Sequence, residues 1–269
     1  MPYIQLADIA DRYSCDKGTR GPSSKWSANN YVDVYQAYLH PLRKKKKINL
    51  LEIGLGVTGP NWDAKIVHGG NTGGASMKMW KEYLPKARIT GIDINPASWL
   101  DDKQVKTYVV DQGSHESLSN FLKTHPDPKF DVIIDDGSHR ADHQQVTLEM
   151  LWPSVKPGGL YFIEDLNDYG YGGKTGGPHA TPDTISTRDF FKRYARAGEI
   201  AGPNAFRSTD FLSSIDDIMF HSPKPRQRPR DIGVEILRTV LGRAASGIMR
   251  LEWVADSERM VVLRKASKA

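Results

Sequence analysis

Between Ile48 and Ile163, short apolar runs alternate with longer amphipathic segments. The runs "INLLEIG", "ARITGIDI", "VKTYVVD", "FDVIIDD" and "GGLYFIED" predict strands, and "ASMKMWKEYL", "ESLSNFLKTH" and "HQQVTLEMLWPSV" predict the helices among them. Strands alternating with helices make an α/β, doubly wound, mostly parallel sheet covered on both faces. Farther on, "TRDFFKRYARAG" predicts another helix, while "IMRLEWVAD" and "RMVVLRK" form a hairpin pair around "SE". Residues 1–47 contain no strong strand and read as an N-terminal helical cap, with "SCDKGTRGPSSKWS" as a loop inside it. The main domain then spans 48–269, with the weakly patterned stretch Ile200 to Gly247 as an insertion.

Composition narrows the class. The chain has 269 residues, 39% of them hydrophobic, which is enough for the core of one large α/β domain with a cap. Its apolar runs all fall short of the ~18 residues of a membrane span, and "MPYIQLADIADRY" lacks the basic-then-apolar layout of a signal peptide. Cys15 is the sole cysteine, so no intramolecular disulfide can form. These features predict a cytoplasmic protein with no membrane partner; a homo-oligomer is compatible with them. The net charge of +5 concentrates in "RKKKK" (Arg43 to Lys47) and "PKPRQRPR" (Pro223 to Arg230). The first suits a solvated lead-in to a strand and the second an extended loop, so neither makes a case for nucleic acid as a partner.

The acidic residues recur at one place. Glu52, Asp93, Asp111, Asp135 with Asp136, and Glu164 with Asp165 lie at the C-terminal ends of the five predicted strands. In a doubly wound sheet those ends form one edge, and the ligand crevice lies just outside it. A single aspartate after a strand is ordinarily a helix cap or turn former. An acid after every strand in succession points to a site.

"LLEIGLGVTG" contains Gly54, Gly56 and Gly59, a G-x-G-x-x-G turn that by itself would equally suit a dinucleotide fold. Two features oppose that alternative. Glu52 stands on the strand itself, two residues before the first glycine. The glycine-rich segment up to Ala75 delays the helix to near Ser76, whereas a pyrophosphate needs a helix N-terminus at once. Glu52 with the glycine turn, followed by Asp93 placed for ribose hydroxyls, resembles the S-adenosylmethionine (SAM) site of class I methyltransferases. Asp111 and Gln112 in "VVDQGS" then resemble the segment lining the adenine.

Asp135 and Asp136 end one strand and Glu164 and Asp165 its neighbour, so two acidic pairs face each other. Carboxylates this close repel and raise one another's pKa unless a cation intervenes. Oxygen ligands without a nearby cysteine favour Mg²⁺, with Mn²⁺ or Ca²⁺ as substitutes. Such an ion can orient two neighbouring substrate oxygens, and His139, three residues after Asp136, is placed to act as the base. The alternative is that Asp135 and Ser138 cap the following helix and His139 is an ordinary surface residue.

"LLEIGLG", the "ASMKMW" helix start, "ITGIDI", "VVDQ", "IIDDGSH" and "GGLYFIEDL" together resemble the SAM- and Mg²⁺-dependent sugar O-methyltransferases of macrolide biosynthesis, the mycinamicin type. The resemblance spans about Ile48 to Leu166 and the final hairpin. It implies a seven-stranded, Rossmann-like sheet whose last hairpin is antiparallel. It also implies methyl transfer to a sugar hydroxyl on a small-molecule glycoside. The resemblance places the metal on Asp136, Glu164 and Asp165, and the base on His139, with Asp136 in the catalytic set. SAM falls to Glu52, Gly54, Gly56, Ser76, Asp93, Asp111 and Gln112, with Asp135 in support. A catechol-type enzyme and a non-catalytic SAM- or metal-binding module are the alternatives. The cap, the Gly59–Ala75 loop and the basic insertion depart from the pattern, and the loops around Tyr169 to His179 are expected to cover the acceptor.

Overall fold

Strands β1 (Ile48–Ile53), β2 (Ala87–Asp93), β3 (Val105–Val109), β4 (Phe130–Asp135), β5 (Val155–Ile163), β6 (Ile215–His221) and β7 (Met260–Lys265) form one sheet in the order β3-β2-β1-β4-β5-β7-β6. The computed structural model describes residues 4–20, 29–45, 47–57, 73–166, 184–223 and 258–267. Strands β1 to β5 are parallel, and β7 is antiparallel to both β5 and β6. Alternate residues of the central strands feed different cores, as the two-residue period of a strand requires. Leu50, Val132, Phe162 and Val262 face one layer, and Leu51, Ile133, Tyr161 and Val261 face the other. Every residue of β1 is buried, Asn49 and Glu52 included, which explains why its sequence is largely apolar and shows no strict alternation.

The first layer contains α1 (Leu6–Arg12), α2 (Val32–Leu39) and α3 (Ala75–Tyr83), which contribute Leu6, Ile9, Tyr35, Leu39, Trp80 and Tyr83 to its core. The N-terminal helices therefore share their core with the sheet. The second layer holds α4 (His115–Thr124), α5 (Ala141–Leu151) and α6 (Thr187–Ala197), anchored by Phe121, Val146, Leu151, Phe190 and Phe191. Local chemistry sets the helix ends. The Ser114 and Ser186 hydroxyls accept from the backbone N–H groups of Ser117 and Asp189, and Gly198 ends α6 in the left-handed region.

One expectation is corrected. The sequence pattern pairs "IMRLEWVAD" with the last strand, but the neighbours of β7 are β5 and β6. Strand β6 comes from the stretch read as an insertion, so part of that stretch belongs to the sheet. It is an edge strand with no fully buried residue and two consecutive acids, Asp216 and Asp217, so its apolar signal is weak. Residues 248–257 lie outside the described residues, as do 58–72 of the glycine-rich loop, 167–183 with the acceptor-covering loops, and the basic stretch from 224 onward.

The sheet order reverses between β1 and β4, where doubly wound sheets carry their crevice. Here the ladder continues past the strand ends: Asp136 N donates to Ile53 O and Glu164 N to Asp135 O, each at 2.9 Å. Those bonds hold Asp136 and Glu164 side by side. Gly54 leaves β1 at φ +81°, its N–H donating to Ile92 O, and a Cβ there would lie 2.1 Å from the Asp136 carbonyl oxygen. Gly54→Ala is therefore expected to cost roughly 2 kcal/mol or more, from the left-handed backbone and the clash together. A urea unfolding curve matching the wild type would show that this turn relaxes freely.

Candidate active site

Outside the β1–β4 reversal lies a cavity of about 250 Å³ whose walls include Gly54, Gly56, Ser76, Asp93, Asp111 and Gln112. Asp93 is shaped by its loop: Oδ2 accepts from Leu55 N at 2.8 Å and Oδ1 from Asn95 N at 2.9 Å. Burial raises its pKa, and these backbone donors oppose the rise. Asp111 stays exposed and accepts from Gly113 N at 2.9 Å. Gln112 is fixed at both ends of its amide. Its Nε2 donates to Asp135 Oδ1 at 3.1 Å and to Thr147 Oγ1 at 3.2 Å, and its Oε1 accepts from Ser138 N at 2.6 Å.

Glu52 and Asp135 lie behind this wall and not on it. Glu52 is fully buried, and its Oε2 accepts from Ser76 Oγ at 2.8 Å and Trp80 Nε1 at 3.1 Å. Burial, working against the attraction of Lys17, pushes Glu52 up to about 7. Burial likewise pushes Asp135 up to about 7 despite the Gln112 amide. Both acids thus support the residues that line the cavity: Glu52 through Ser76, Asp135 through Gln112.

One end of the cavity runs into Asp136 and His139. Asp136, His139 and Asp165 each offer one ligand atom, and these atoms all lie within 4.8 Å of one another. His139 and Asp165 both have left-handed backbones, at φ 57° and 47°, which ordinary side chains rarely adopt and which concentrate at functional sites. Their side chains meet with His139 Nε2 3.7 Å from Asp165 Oδ2. Of the acids expected to bind metal, Asp136 and Asp165 fall in this group. The neighbouring Glu164 turns inward, where its Oε1 accepts from the Tyr35 hydroxyl and from Lys17 Nζ, the latter at 2.9 Å.

The sequence did not single out Lys17. With no exposed side-chain surface, it donates to Asp136 Oδ2 and also lies 3.6 Å from Glu52 Oε1. Burial disfavours its charge, but Asp136, Glu164 and Glu52 outweigh burial and raise its pKa well above the usual lysine value. Glu164 is driven well above the usual carboxylate range by burial and by Asp136, with Lys17 and the Tyr35 hydroxyl opposing. Burial opposes ionisation of Asp165 too, but His139, the Tyr31 hydroxyl and Arg259 outweigh it and hold this acid below the usual range. In sequence Lys17 resembles any lysine in a polar loop. Tyr31 and Tyr35, one helical turn apart, were the available signal of a shared face.

The donor set suits a hard divalent cation. Glu52, Asp136, Glu164 and Asp165 would carry four negative charges when ionised, and Lys17 and Arg259 supply two positive ones. Among the described residues, Glu164 Oε2 is buried without a hydrogen-bond partner, and the ligand atoms that Asp136, His139 and Asp165 bring together are oxygen or imidazole nitrogen. The glycine turn also leaves open space on the cavity side, since a Cβ at Gly56, a residue of the cavity wall, would meet nothing within 4 Å.

Residues 67–166 match the model of the methyltransferase domain family. The fold is that of a class I methyltransferase. This methyltransferase fold aligns over 98% of the chain, at a TM-score of 0.64 and 22% identity, with 55% of the MycE methyltransferase from the mycinamycin biosynthetic pathway, a structure in complex with Mg and SAH. Among curated relatives, the chain is 36% identical over 182 residues to the 8-demethyl-8-(2-methoxy-alpha-L-rhamnosyl)-tetracenomycin-C 3'-O-methyltransferase of Streptomyces olivaceus, covering 64% of this chain and 44% of that protein. It is 36% identical over 162 residues to the mycinamicin VI 2''-O-methyltransferase of Micromonospora griseorubida, covering 60% of this chain and 36% of that protein. The chain thus spans less than half the length of these two relatives. Among the described residues, no helix is long and apolar enough to cross a membrane.

Lys17→Met leaves the buried Glu52 and Glu164 and the partly buried Asp136 without their cation and is expected to destabilise the metal-free protein by ~3–5 kcal/mol. Adding Glu52→Gln removes one of those charges and should recover part of the loss. Chemical denaturation at neutral pH measures both variants, and a Lys17→Met protein as stable as wild type would show that the ammonium is not their counter-ion.

Proposed function

We propose that this protein transfers the methyl group of S-adenosylmethionine to a hydroxyl of a sugar on a glycosylated small molecule, with Mg²⁺ or Mn²⁺ as cofactor. One observation carries the reading: the cavity bounded by Gly54, Asp93 and Gln112 opens directly onto Asp136 and His139, with Asp165 beside them. A methyl-donor pocket and a cation-holding group with a base would thus share one wall. The relatives that act on rhamnosyl tetracenomycin and mycinamicin VI support a glycoside acceptor.

In this reading residues 48–269 are the methyltransferase domain and 1–47 its cap. Asp93 receives the ribose hydroxyls, Gly54 and Gly56 border the methionyl portion, and Asp111 and Gln112 border the adenine. Ser76 closes the floor, held by Glu52, and Asp135 keeps Gln112 in place. Asp136 and Asp165, with Glu164 behind them, would hold the cation. When bound, a divalent ion supplies a Lewis acid that orients neighbouring hydroxyl oxygens and lowers the cost of ionising one of them. His139 accepts the hydroxyl proton at its ring. Its left-handed backbone, strained for a side-chain-bearing residue, fixes the ring against Asp165.

Asp93→Ala is expected to weaken SAM binding by ~1–3 kcal/mol, the range for a lost hydrogen bond that leaves polar groups unpaired, read by calorimetry. Tight binding of NAD in place of SAM would overturn the cofactor. His139→Ala should bind SAM nearly normally yet lose ~10²–10⁴ in turnover on a glycoside bearing neighbouring hydroxyls. A folded, fully active His139→Ala enzyme would remove the base while leaving the cation site standing.

A further inference from the structure

Among the described residues, each acid of the cluster accepts hydrogen bonds at only one of its two oxygens. Asp165 Oδ1 accepts from the Tyr31 hydroxyl and from Arg259 Nη2 at 3.0 Å, which leaves Oδ2 turned toward His139. Glu164 Oε1 accepts from the Tyr35 hydroxyl and Lys17, which leaves Oε2 buried and without a partner among the described residues. Asp136 Oδ2 accepts from Lys17, and its other oxygen has no donor among the described residues. The same division recurs three times, and the donors all come from outside the parallel strands and loops that carry the acids.

We propose that Lys17, Tyr31, Tyr35 and Arg259 are positioning residues for the cation, each occupying one carboxylate oxygen and leaving the other to the metal. The inference rests on the metal reading above and extends it to the N-terminal segment and the entrance to β7. Their placement is itself held firmly. Tyr31 and Tyr35 are both fully buried and stand one helical turn apart. The Arg259 guanidinium lies 5.2 Å from the centre of the Tyr31 ring and donates to Asn29 Oδ1 at 2.8 Å. Its carbonyl accepts from Leu166 N at 3.1 Å, so the backbone directly after Asp165 registers the arginine against that acid. A carboxylate free to rotate would offer either oxygen, or both. One with an oxygen engaged presents a single ligand in a fixed direction, and outer partners of this kind ordinarily govern metal affinity.

Replacing the tyrosines by phenylalanine leaves the charge unchanged, so any change in cation affinity reports oxygen placement and not electrostatic attraction. The experiment is a titration of the SAM-free protein with Mn²⁺, following free ion by electron paramagnetic resonance, with urea unfolding of each variant in parallel. Tyr31→Phe and Tyr35→Phe are expected to weaken Mn²⁺ binding by ~10–100-fold. Tyr38→Phe, on the same helix but with its hydroxyl against Met219 and His221, should bind as wild type does. Arg259→Lys keeps the charge and loses the planar fork, and should also weaken binding; this position, less deeply buried than the tyrosines, keeps the test open if the buried variants unfold. Folded Tyr31→Phe, Tyr35→Phe and Arg259→Lys proteins with wild-type Mn²⁺ affinity would overturn the positioning role while leaving the metal reading intact. A wild-type protein that takes up no Mn²⁺ would overturn both.

Discussion

A buried ammonium holds this site together. Lys17 lies among Glu52, Asp136 and Glu164, which come from the ends of three different parallel strands. Desolvating any one of these charges costs several kcal/mol, and the mutual attraction offsets it only if the partners stay in contact. The C-terminal edge of the sheet is therefore conditional on the loop after α1, although that loop lies far away in sequence. The same loop places Ser14 and Asp16 on the cavity wall. The N-terminal segment thus both neutralises the acid cluster and bounds the adjoining pocket.

The acids divide by depth. Glu52 and Asp135 sit inside, bonded to residues that line the cavity, and burial pushes both up to about 7. Asp165 sits farther out, between Tyr31, Arg259 and His139, and stays below the usual range. Similar side chains on neighbouring strand ends thus support different tasks because their surroundings differ in solvent and in donors. The inner acids brace the polar wall. Asp136 and Asp165 each bring one ligand atom within 4.8 Å of the other's and of His139's.

Backbone geometry makes the juxtaposition tight. Gly54 lets the exit of β1 pass against the Asp136 carbonyl, and Gly137 passes close to the Gln112 amide, where a Cβ would lie 1.8 Å from Oε1. The glycine of "DDGSH" therefore serves packing between two strand exits, which lets Ser138 N reach Gln112. Past it, His139 adopts its left-handed backbone and turns its ring toward Asp165.

The sequence by itself determined the parallel half of the sheet and the edge on which the site lies. Short, largely apolar runs mark the central strands, and an acid at each exit is a local feature that needs no knowledge of the fold. Strand β6 was not legible, because an edge strand with no fully buried residue need not carry an apolar pattern. The order of the sheet decided which acids meet: β4 beside β5 puts Asp136 next to Glu164. Only the tertiary structure revealed the cation already among them. A lysine's contribution depends on whether water or carboxylates surround its ammonium, and that is set by contacts between Lys17 and residues more than a hundred positions away.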